Sequence, residues 1–352
     1  MMFTPVLNQF STWFLHHQSF AGYIEPIMQM FKPEWRAGQF RAQIIKATIL
    51  SGEFLNVQIK PSKQWHGHIA GQHISLTVEI NGRLLTRVFT VASSPQYFKK
   101  TGKLRLLIKT SNQGRFTGLL NSKFTKNVWC NISAPTGDFV FEKSSRPATF
   151  IAGGSGITPM LAMLHEQLRL TSQKTSKKIS LIYYAKAAEH QCVDELSDLA
   201  AQFSHFSFLL LTRAQSSDIT SNINTAEKPD IYCCGPTDFM QTLADFSNKH
   251  SLTYYQEAFG LQLSRLNDDS QFNVKLHSST HIVSANDVLL PQFEAQNLPV
   301  KRGCGIGICH QCQCIKKSGV VRNLKTGELS DSGEQLIQLC VSQAVSDLEL
   351  QL

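Results

Sequence analysis

Apolar positions along the chain change their period several times, and each change predicts a different kind of element. In residues 1–36, Leu7, Phe10 and Phe14, with neighbouring Trp13, lie at helical spacing, and Ile24, Ile27, Met28 and Phe31 predict a second short helix after Gly22. Polar Asn8, Gln9, Ser11, Thr12 and Gln18 interrupt any membrane span there. From about Phe40 to Glu142, short β segments such as 54–59, 73–78 and 104–108 are separated by turn residues, which predicts a small antiparallel barrel. Between about 146 and 260 a buried-strand pattern at 148–152 leads through a glycine turn into a helical run at 160–170. Further strands follow at 179–184, 206–211 and 230–234, and this alternation predicts a parallel α/β sheet. Residues 261–271 read as a polar linker. After it come a hairpin of 272–276 and 280–283 across Ser278 and Ser279, a helix around 288–296, and a cysteine loop.

With 352 residues the chain is too long for one core. The expected division is a helical arm at 1–36, an antiparallel barrel at 37–144, a parallel α/β domain at 145–260, the linker at 261–271 and a C-terminal domain at 272–352. No uninterrupted run of 18 apolar residues marks a spanning helix. The arm fits two readings, a segment packed on the next domain or a membrane-surface contact through residues 1–31. There is no Lys or Arg before Lys32, so the positive start of a signal peptide is missing. The net charge of +8 comes from scattered basic residues without interleaved exposed aromatics, which excludes nucleic acid and points to an acidic protein partner or anionic lipid.

The cysteines change the picture most. Four residues lie between Cys304 and Cys309, two between Cys309 and Cys312, and 27 between Cys312 and Cys340. That is the plant-type spacing of a [2Fe–2S] cluster. Each iron needs two thiolates, so one tight loop supplies three and a distant turn the fourth. Gly303, Gly305 and Gly307 let that loop bend and turn its amides towards sulfur. A zinc site or bystander thiols are the alternatives, but zinc sites favour two close pairs. Cys314 fits a buried thiol on the strand that leaves the loop. Nine cysteines at irregular spacing, four of them needed as thiolates, place the chain in a reducing compartment, the cytoplasm.

Three further groupings carry chemistry. In Arg87-Val88-Phe89-Thr90 a cation, an aromatic and a hydroxyl could meet a phosphate, an isoalloxazine face and the ring N5 edge. In Gly114-Arg115-Phe116-Thr117-Gly118 a glycine opens a helix start suited to a diphosphate. Each grouping alone equally fits surface and core. Gly153-Gly154-Ser155-Gly156-Ile157-Thr158-Pro159, between strand and helix, forms a dinucleotide cradle in which Gly154, Gly156, Thr158 and Pro159 are the candidate contacts. Proline is acceptable there because it falls in the first helical turn.

Together these motifs resemble the ferredoxin–NADP⁺ reductase superfamily over about residues 37–352. Arg87 to Thr90 is similar to its flavin motif R-x-[YF]-[ST], with Phe89 in place of the commoner Tyr. Gly114, Phe116 and Thr117 lie in a match to its G-x-x-[ST]. Pro135-Thr136-Gly137-Asp138-Phe139 resembles the turn that closes its barrel. Cys234-Gly235-Pro236, followed by Phe239 and Met240, is similar to an element that lies under the nicotinamide. Glu257-Ala258-Phe259 resembles the E-x-F that often ends that domain, and the C-terminal order matches the β-grasp ferredoxin fold.

The resemblance implies FAD, with FMN open, and NADPH or NADH. The Thr90 hydroxyl is expected beside flavin N5 and Cys234 beside the nicotinamide, as the groups nearest the chemistry. Lys186 and Arg213 are the candidate partners of an NADPH 2′-phosphate. Flavin stands between a two-electron hydride donor and a one-electron cluster. Plant-type clusters lie near about −400 mV, low enough to reduce metal oxygenases. The loop with His310, and the segment around Cys340, look like reductases of bacterial fatty-acyl desaturases. A membrane di-iron desaturase is therefore the first expectation for the acceptor. A ring-hydroxylating or demethylating oxygenase is the second, and a redox-sensing module without turnover the third.

Overall fold

The computed structural model describes residues 7, 20–37, 40–51, 53–80, 83–110, 128–171, 177–216, 218–257, 270–276 and 279–352. They form two compact units. One runs to Leu85 and includes Phe89–Gly235 and Phe239–Gln256; the other holds Thr86–Val88, Pro236–Asp238 and the chain from Glu257 onwards.

Helix α1 (Phe20–Phe31) begins before Gly22 and is tied down by polar groups. Glu25 Oε2 accepts from the Ala37 amide at 3.0 Å and Gln29 Nε2 donates to Trp35 O at 3.1 Å. None of its residues is fully buried; Tyr23, Ile27, Met30 and Phe31 are exposed, while Phe20, Ile24 and Met28 are half-buried. Of the first predicted helix only Leu7 is described; Phe10, Trp13 and Phe14 lie outside the described residues. Among the described residues no helix is long and apolar enough to cross a membrane.

A six-stranded sheet follows, built from β1 (Phe40–Leu50), β2 (Phe54–Pro61), β3 (His73–Ile80), β4 (Arg83–Thr90), β5 (Leu104–Lys109) and β6 (Trp129–Ile132). Its order is β4-β3-β6-β1-β2-β5, and the β1–β2, β1–β6, β2–β5 and β3–β6 pairs are antiparallel. Alternation along β2 sends Leu55, Val57 and Ile59 into a core shared with Ile44, Ile74, Leu76 and Ile132. Past the end of β4, Val91 bridges to Leu106, which joins the two edges of the sheet. Between β4 and β5 lies α2 (Pro95–Thr101), a helix the apolar pattern did not predict. Its signals are local: Ser94 caps the start, Pro95 fills the first turn and Gly102 ends it with a left-handed φ of 64°.

The second sheet consists of β7 (Ala148–Gly153), β8 (Ile179–Tyr184), β9 (Phe206–Leu211), β10 (Asp230–Cys234) and β11 (Tyr254–Glu257), in the order β11-β10-β7-β8-β9. β10–β7, β7–β8 and β8–β9 are parallel. Every residue of β7 and β10 is buried, as expected of central strands covered on both faces. Helices α3 (Ile157–Thr171), α4 (Val193–Gln202) and α5 (Thr237–Lys249) supply the connections.

One core crosses from the first sheet to the second. Phe54, Ala92, Leu107 and Phe139 share it with Phe150, Met160, Met163 and Tyr232. Phe141 stacks on Tyr232 at 5.1 Å, and Tyr232 stacks on Phe150 at 5.2 Å and on Tyr255 at 4.8 Å. The Tyr232 hydroxyl accepts from the Glu142 amide at 3.1 Å. A polar cluster lies on the same junction. Glu195 on α4 accepts from Arg105 Nη1 on β5 at 2.7 Å, and its other oxygen lies 2.5 Å from His165 Nε2 on α3.

The second unit has a mixed sheet of β12 (Gln271–Leu276), β13 (Ser279–Ser284), β14 (Gln313–Ser318), β16 (Gln335–Gln338) and β18 (Leu348–Gln351), ordered β13-β12-β18-β14-β16. The short strands β15 (Val321–Asn323) and β17 (Ser342–Ala344) pair separately. Helix α6 (Leu289–Ala295) sends Leu289, Leu290 and Phe293 into the core of this unit. Because β12 begins at Gln271, the last residue of the expected linker is strand; residues 261–269 lie outside the described residues. Lys316 is fully buried, its ammonium donating to Asp331 O at 2.8 Å and to Gly333 O.

Burial pushes the Glu195 carboxyl up, but the His165 hydrogen bond and the Arg105 charge outweigh it and hold it at about 2. A carboxylate with a depressed pKa stabilises the fold above its unfolded value of about 4.3 and loses that contribution as pH falls towards the folded value. The melting temperature of wild type should therefore exceed that of Glu195→Gln at neutral pH, and the gap should close as pH falls from about 4.3 towards 2. Thermal melts across that range check the direction.

Candidate functional site

β7 ends in a single 3-10 turn, Gly154–Gly156, which leads directly into α3. Gly154 needs its left-handed φ of 57°. At Gly156 the need is space, since a Cβ would sit 1.9 Å from Cys234 O. Cys234 pairs across from Ala152 in the β10–β7 register, so the glycine turn and the Cys234-Gly235 segment, distant in sequence, are neighbours in space. A Cβ on Gly235 would lie 2.8 Å from Phe239 Cδ1 and 3.3 Å from Gly153 Cα. Strand order reverses between β7 and β10, where open α/β sheets leave their ligand crevice. Thr158 Oγ1 donates to Ser155 O at 2.9 Å, closing the turn, and Pro159 sits in the first turn of α3 as the sequence predicted. The helix itself starts at Ile157, three residues before the predicted run. Cys234 is fully buried. Glu257 ends β11 half-buried.

The two candidate phosphate cations differ. Lys186 is 81% exposed and lies 3.9 Å from Glu189. Arg213 lies over the Phe239 ring, 5.7 Å from its centroid, and that ring also packs against Gly235.

On β4, Thr90 is buried and Phe89 packs half-buried against the core of the first sheet. Arg87 is half-buried, and its Nη1 donates to Thr86 O at 2.8 Å. Burial draws its guanidinium pKa down. Gly114, Phe116 and Thr117 lie outside the described residues. The segment after Thr90 is held firmly. Ala92 donates to Arg105 O at 2.9 Å, the Arg105 amide donates to Ser93 Oγ at 3.0 Å, and His68 Nε2 lies 2.8 Å from Ser93 O. Burial lowers the His68 pKa, so a neutral ring donates to that carbonyl. The Pro135-to-Phe139 turn bridges back to β3 through Thr136 and His73, and a Cβ on Gly137 would sit 2.9 Å from the His73 ring.

In the second unit the thiols fall into two pairs. The Cys304 amide donates to Cys309 Sγ at 3.0 Å, and the Ile308 and Cys309 amides donate to Cys304 Sγ at 3.4 and 3.3 Å. A thiol hydrogen bond from Cys309 draws the Cys304 pKa down, and one from Cys340 does the same for Cys312. The Gly307 amide donates to Cys340 Sγ at 3.2 Å. Among the described residues no three His, Cys, Asp or Glu side chains gather as a one-ion site would require. Two pairs are what a two-iron centre needs, with two thiolates to each iron. At two of its glycines the loop leaves no room for a side chain. A Cβ on Gly303 would lie 2.1 Å from Cys309 Sγ, and one on Gly307, φ 73°, would lie 2.6 Å from Val341. Cys314 is buried on β14 beside the pairs, as expected. His310 takes a positive φ of 58° and its Nδ1 accepts from Gln338 Nε2 at 2.8 Å. The Glu195 cluster had no signal in the sequence, because its members come from three elements far apart in the chain.

Two family models match parts of the chain. An oxidoreductase FAD-binding domain model matches residues 41–141, and an oxidoreductase NAD-binding domain model matches residues 150–245. An NADPH oxidoreductase of Mycobacterium tuberculosis is 24% identical over 92% of this chain and 87% of its own length. A glycine betaine monooxygenase reductase subunit of Pseudomonas aeruginosa is 22% identical over 79% and 85%. Among solved structures, phthalate dioxygenase reductase, described as a modular structure for electron transfer from pyridine nucleotides to [2Fe–2S], superposes with a TM-score of 0.58. It is 23% identical and covers 90% of this chain and 98% of its own, a likeness that bears on the fold. The chain is an oxidoreductase with FAD-binding and NAD-binding domains.

Two glycines test the site. Gly156→Ala should raise the dissociation constant for NADPH or NADH at least about tenfold, roughly 1.4 kcal/mol, with flavin content unchanged, as read by fluorescence titration. Gly303→Ala should lose visible cluster absorption while secondary structure by circular dichroism stays intact, since the added methyl collides with the Cys309 sulfur.

Proposed function

We propose that this chain is the reductase component of an oxygenase system, carrying electrons from NAD(P)H through FAD and a [2Fe–2S] cluster to a protein acceptor. The observation that carries the reading is the pairing of Cys304 with Cys309 and of Cys312 with Cys340, with loop amides aimed at the sulfurs, in a chain that also holds FAD- and NAD-binding domains. When bound, the flavin supplies the change from a two-electron donor to one-electron delivery, and the cluster supplies the one-electron exit.

The chain's own residues hold and orient. The four cysteines ligate the irons, and the amides of Gly307, Ile308 and Cys309 stabilise the charge on sulfur. Arg87 would hold the flavin phosphate, and Phe89 and Thr90 would hold its ring. By the motif resemblance, Gly114, Phe116 and Thr117 would add to the flavin site, and Glu257 would serve at the end of the nucleotide domain. Gly154, Gly156, Thr158 and Pro159 receive the pyrophosphate at the start of α3, while Cys234, Gly235 and Pro236 line the nicotinamide side. The position of Arg213 against the Phe239 ring, which also packs on Gly235, favours NADPH, with the guanidinium as partner of the 2′-phosphate.

Oxygenase reductases of similar length and order support an oxygenase as acceptor over the desaturase first expected from the His310 loop and the N-terminal arm. An anaerobic titration with NADPH and then NADH, followed by visible absorption and low-temperature EPR, should bleach the flavin and raise a rhombic reduced-cluster signal. Cys304→Ser should lose that signal yet still pass electrons to ferricyanide. An unchanged spectrum in the variant would reject the ligand assignment. Coupled turnover with a di-iron desaturase, and none with a ring-hydroxylating or demethylating oxygenase, would reject the acceptor.

A further inference from the structure

Arg105 stands at a junction that the proposed electron path does not by itself explain. Its backbone belongs to the flavin side: Ala92 donates to its carbonyl at 2.9 Å and its own amide donates to Ser93 Oγ at 3.0 Å, just beyond Thr90. Its side chain belongs to the nucleotide side. Nη1 reaches Glu195 at 2.7 Å and Nη2 reaches Cys192 Sγ at 3.1 Å, while Nε is steadied by Asn56 Oδ1 at 3.1 Å. Glu195 in turn meets His165 at 2.5 Å, two turns along α3 from the glycine turn. Two further contacts brace the same seam, Gln191 Nε2 to Ser51 O at 3.0 Å and Lys109 to Glu189 at 3.6 Å.

We propose that Arg105, Glu195 and His165 form a positioning clasp that fixes the spacing between the flavin-bearing strand end and the dinucleotide cradle, and so sets the efficiency of hydride transfer. The inference rests on the function proposed above. Hydride transfer requires donor and acceptor atoms about 3–3.5 Å apart, and a misplacement of about 1 Å costs on the order of 100-fold in rate. A hydrophobic core alone leaves room to slide, because apolar contact is not directional. A carboxylate gripped from both sides by charge-assisted hydrogen bonds fixes direction as well as distance. The depressed Glu195 pKa agrees with a carboxylate that stays charged throughout the working range.

The test uses the full-length holoprotein, as wild type, Glu195→Gln, His165→Ala and His165→Gln. Hydrogen exchange is followed with and without NADP⁺ and, in parallel, NAD⁺. In wild type the bound nucleotide should slow exchange at the start of α3 and also across β5. In Glu195→Gln and His165→Ala the first effect should remain and the second disappear. Stopped-flow bleaching of the flavin at saturating NADPH or NADH should then fall at least about tenfold in both, with flavin content and half-saturating concentration within about twofold of wild type. His165→Gln, which keeps a donor facing Glu195, should retain both. If Glu195→Gln does not fold, the half-exposed His165 variants decide. Intact coupling and bleaching in the clasp variants overturn the inference and leave the function standing. A wild-type flavin that neither nucleotide bleaches overturns the function and the inference with it.

Discussion

The first unit depends on the aromatic stack in which Phe141, Tyr232, Phe150 and Tyr255 lie ring on ring. Phe141 belongs to the segment that leaves the antiparallel sheet, while Tyr232 and Phe150 sit on the two central strands of the parallel one. Removing those rings would open the core where the two sheets meet. Because β7 and β10 are the strands that meet at the crevice, the same contact that joins the two sheets also holds the glycine turn beside Cys234. Fold and cradle share one support.

The second unit works by exclusion. Gly303 and Gly307 matter for the atoms they lack, since the space a Cβ would take is already filled by Cys309 sulfur or by Val341. With the loop so tightly folded, its amides have little choice but to face the thiols. The buried Lys316 ammonium, capped by two carbonyls, does comparable work on the 331–333 segment, because an unpaired charge there would be costly.

Much of this was legible in the sequence, for physical reasons. Period-two alternation announced β2, an unbroken apolar run announced β7, and the spacing of Cys304, Cys309 and Cys312 announced the loop. Such signals are local, set by residues a few positions apart. Helix α2 was equally local in its Ser94-Pro95 cap and Gly102 stop, but it is short and lacks a buried stripe, so apolar periodicity passed over it. In the N-terminal arm, apolar spacing announced α1, but apolar residues alone could not say which surface they would face. The Glu195 cluster could not be read at all. Arg105, His165 and Glu195 acquire their meaning only when three elements close on one another, and no spacing along a chain encodes that.

The crossing of the core has a consequence for how such a protein can be taken apart and recombined. Phe139, Phe141 and Glu142 lie on the antiparallel side of the expected domain boundary, yet they pack on the parallel side through Tyr232. A chimera cut at that boundary would give a transplanted nucleotide domain a foreign partner for its central tyrosine. The exchangeable piece is therefore the pair of sheets with the segment between them, and any shuffling of donor preference among related chains has to carry those few residues along.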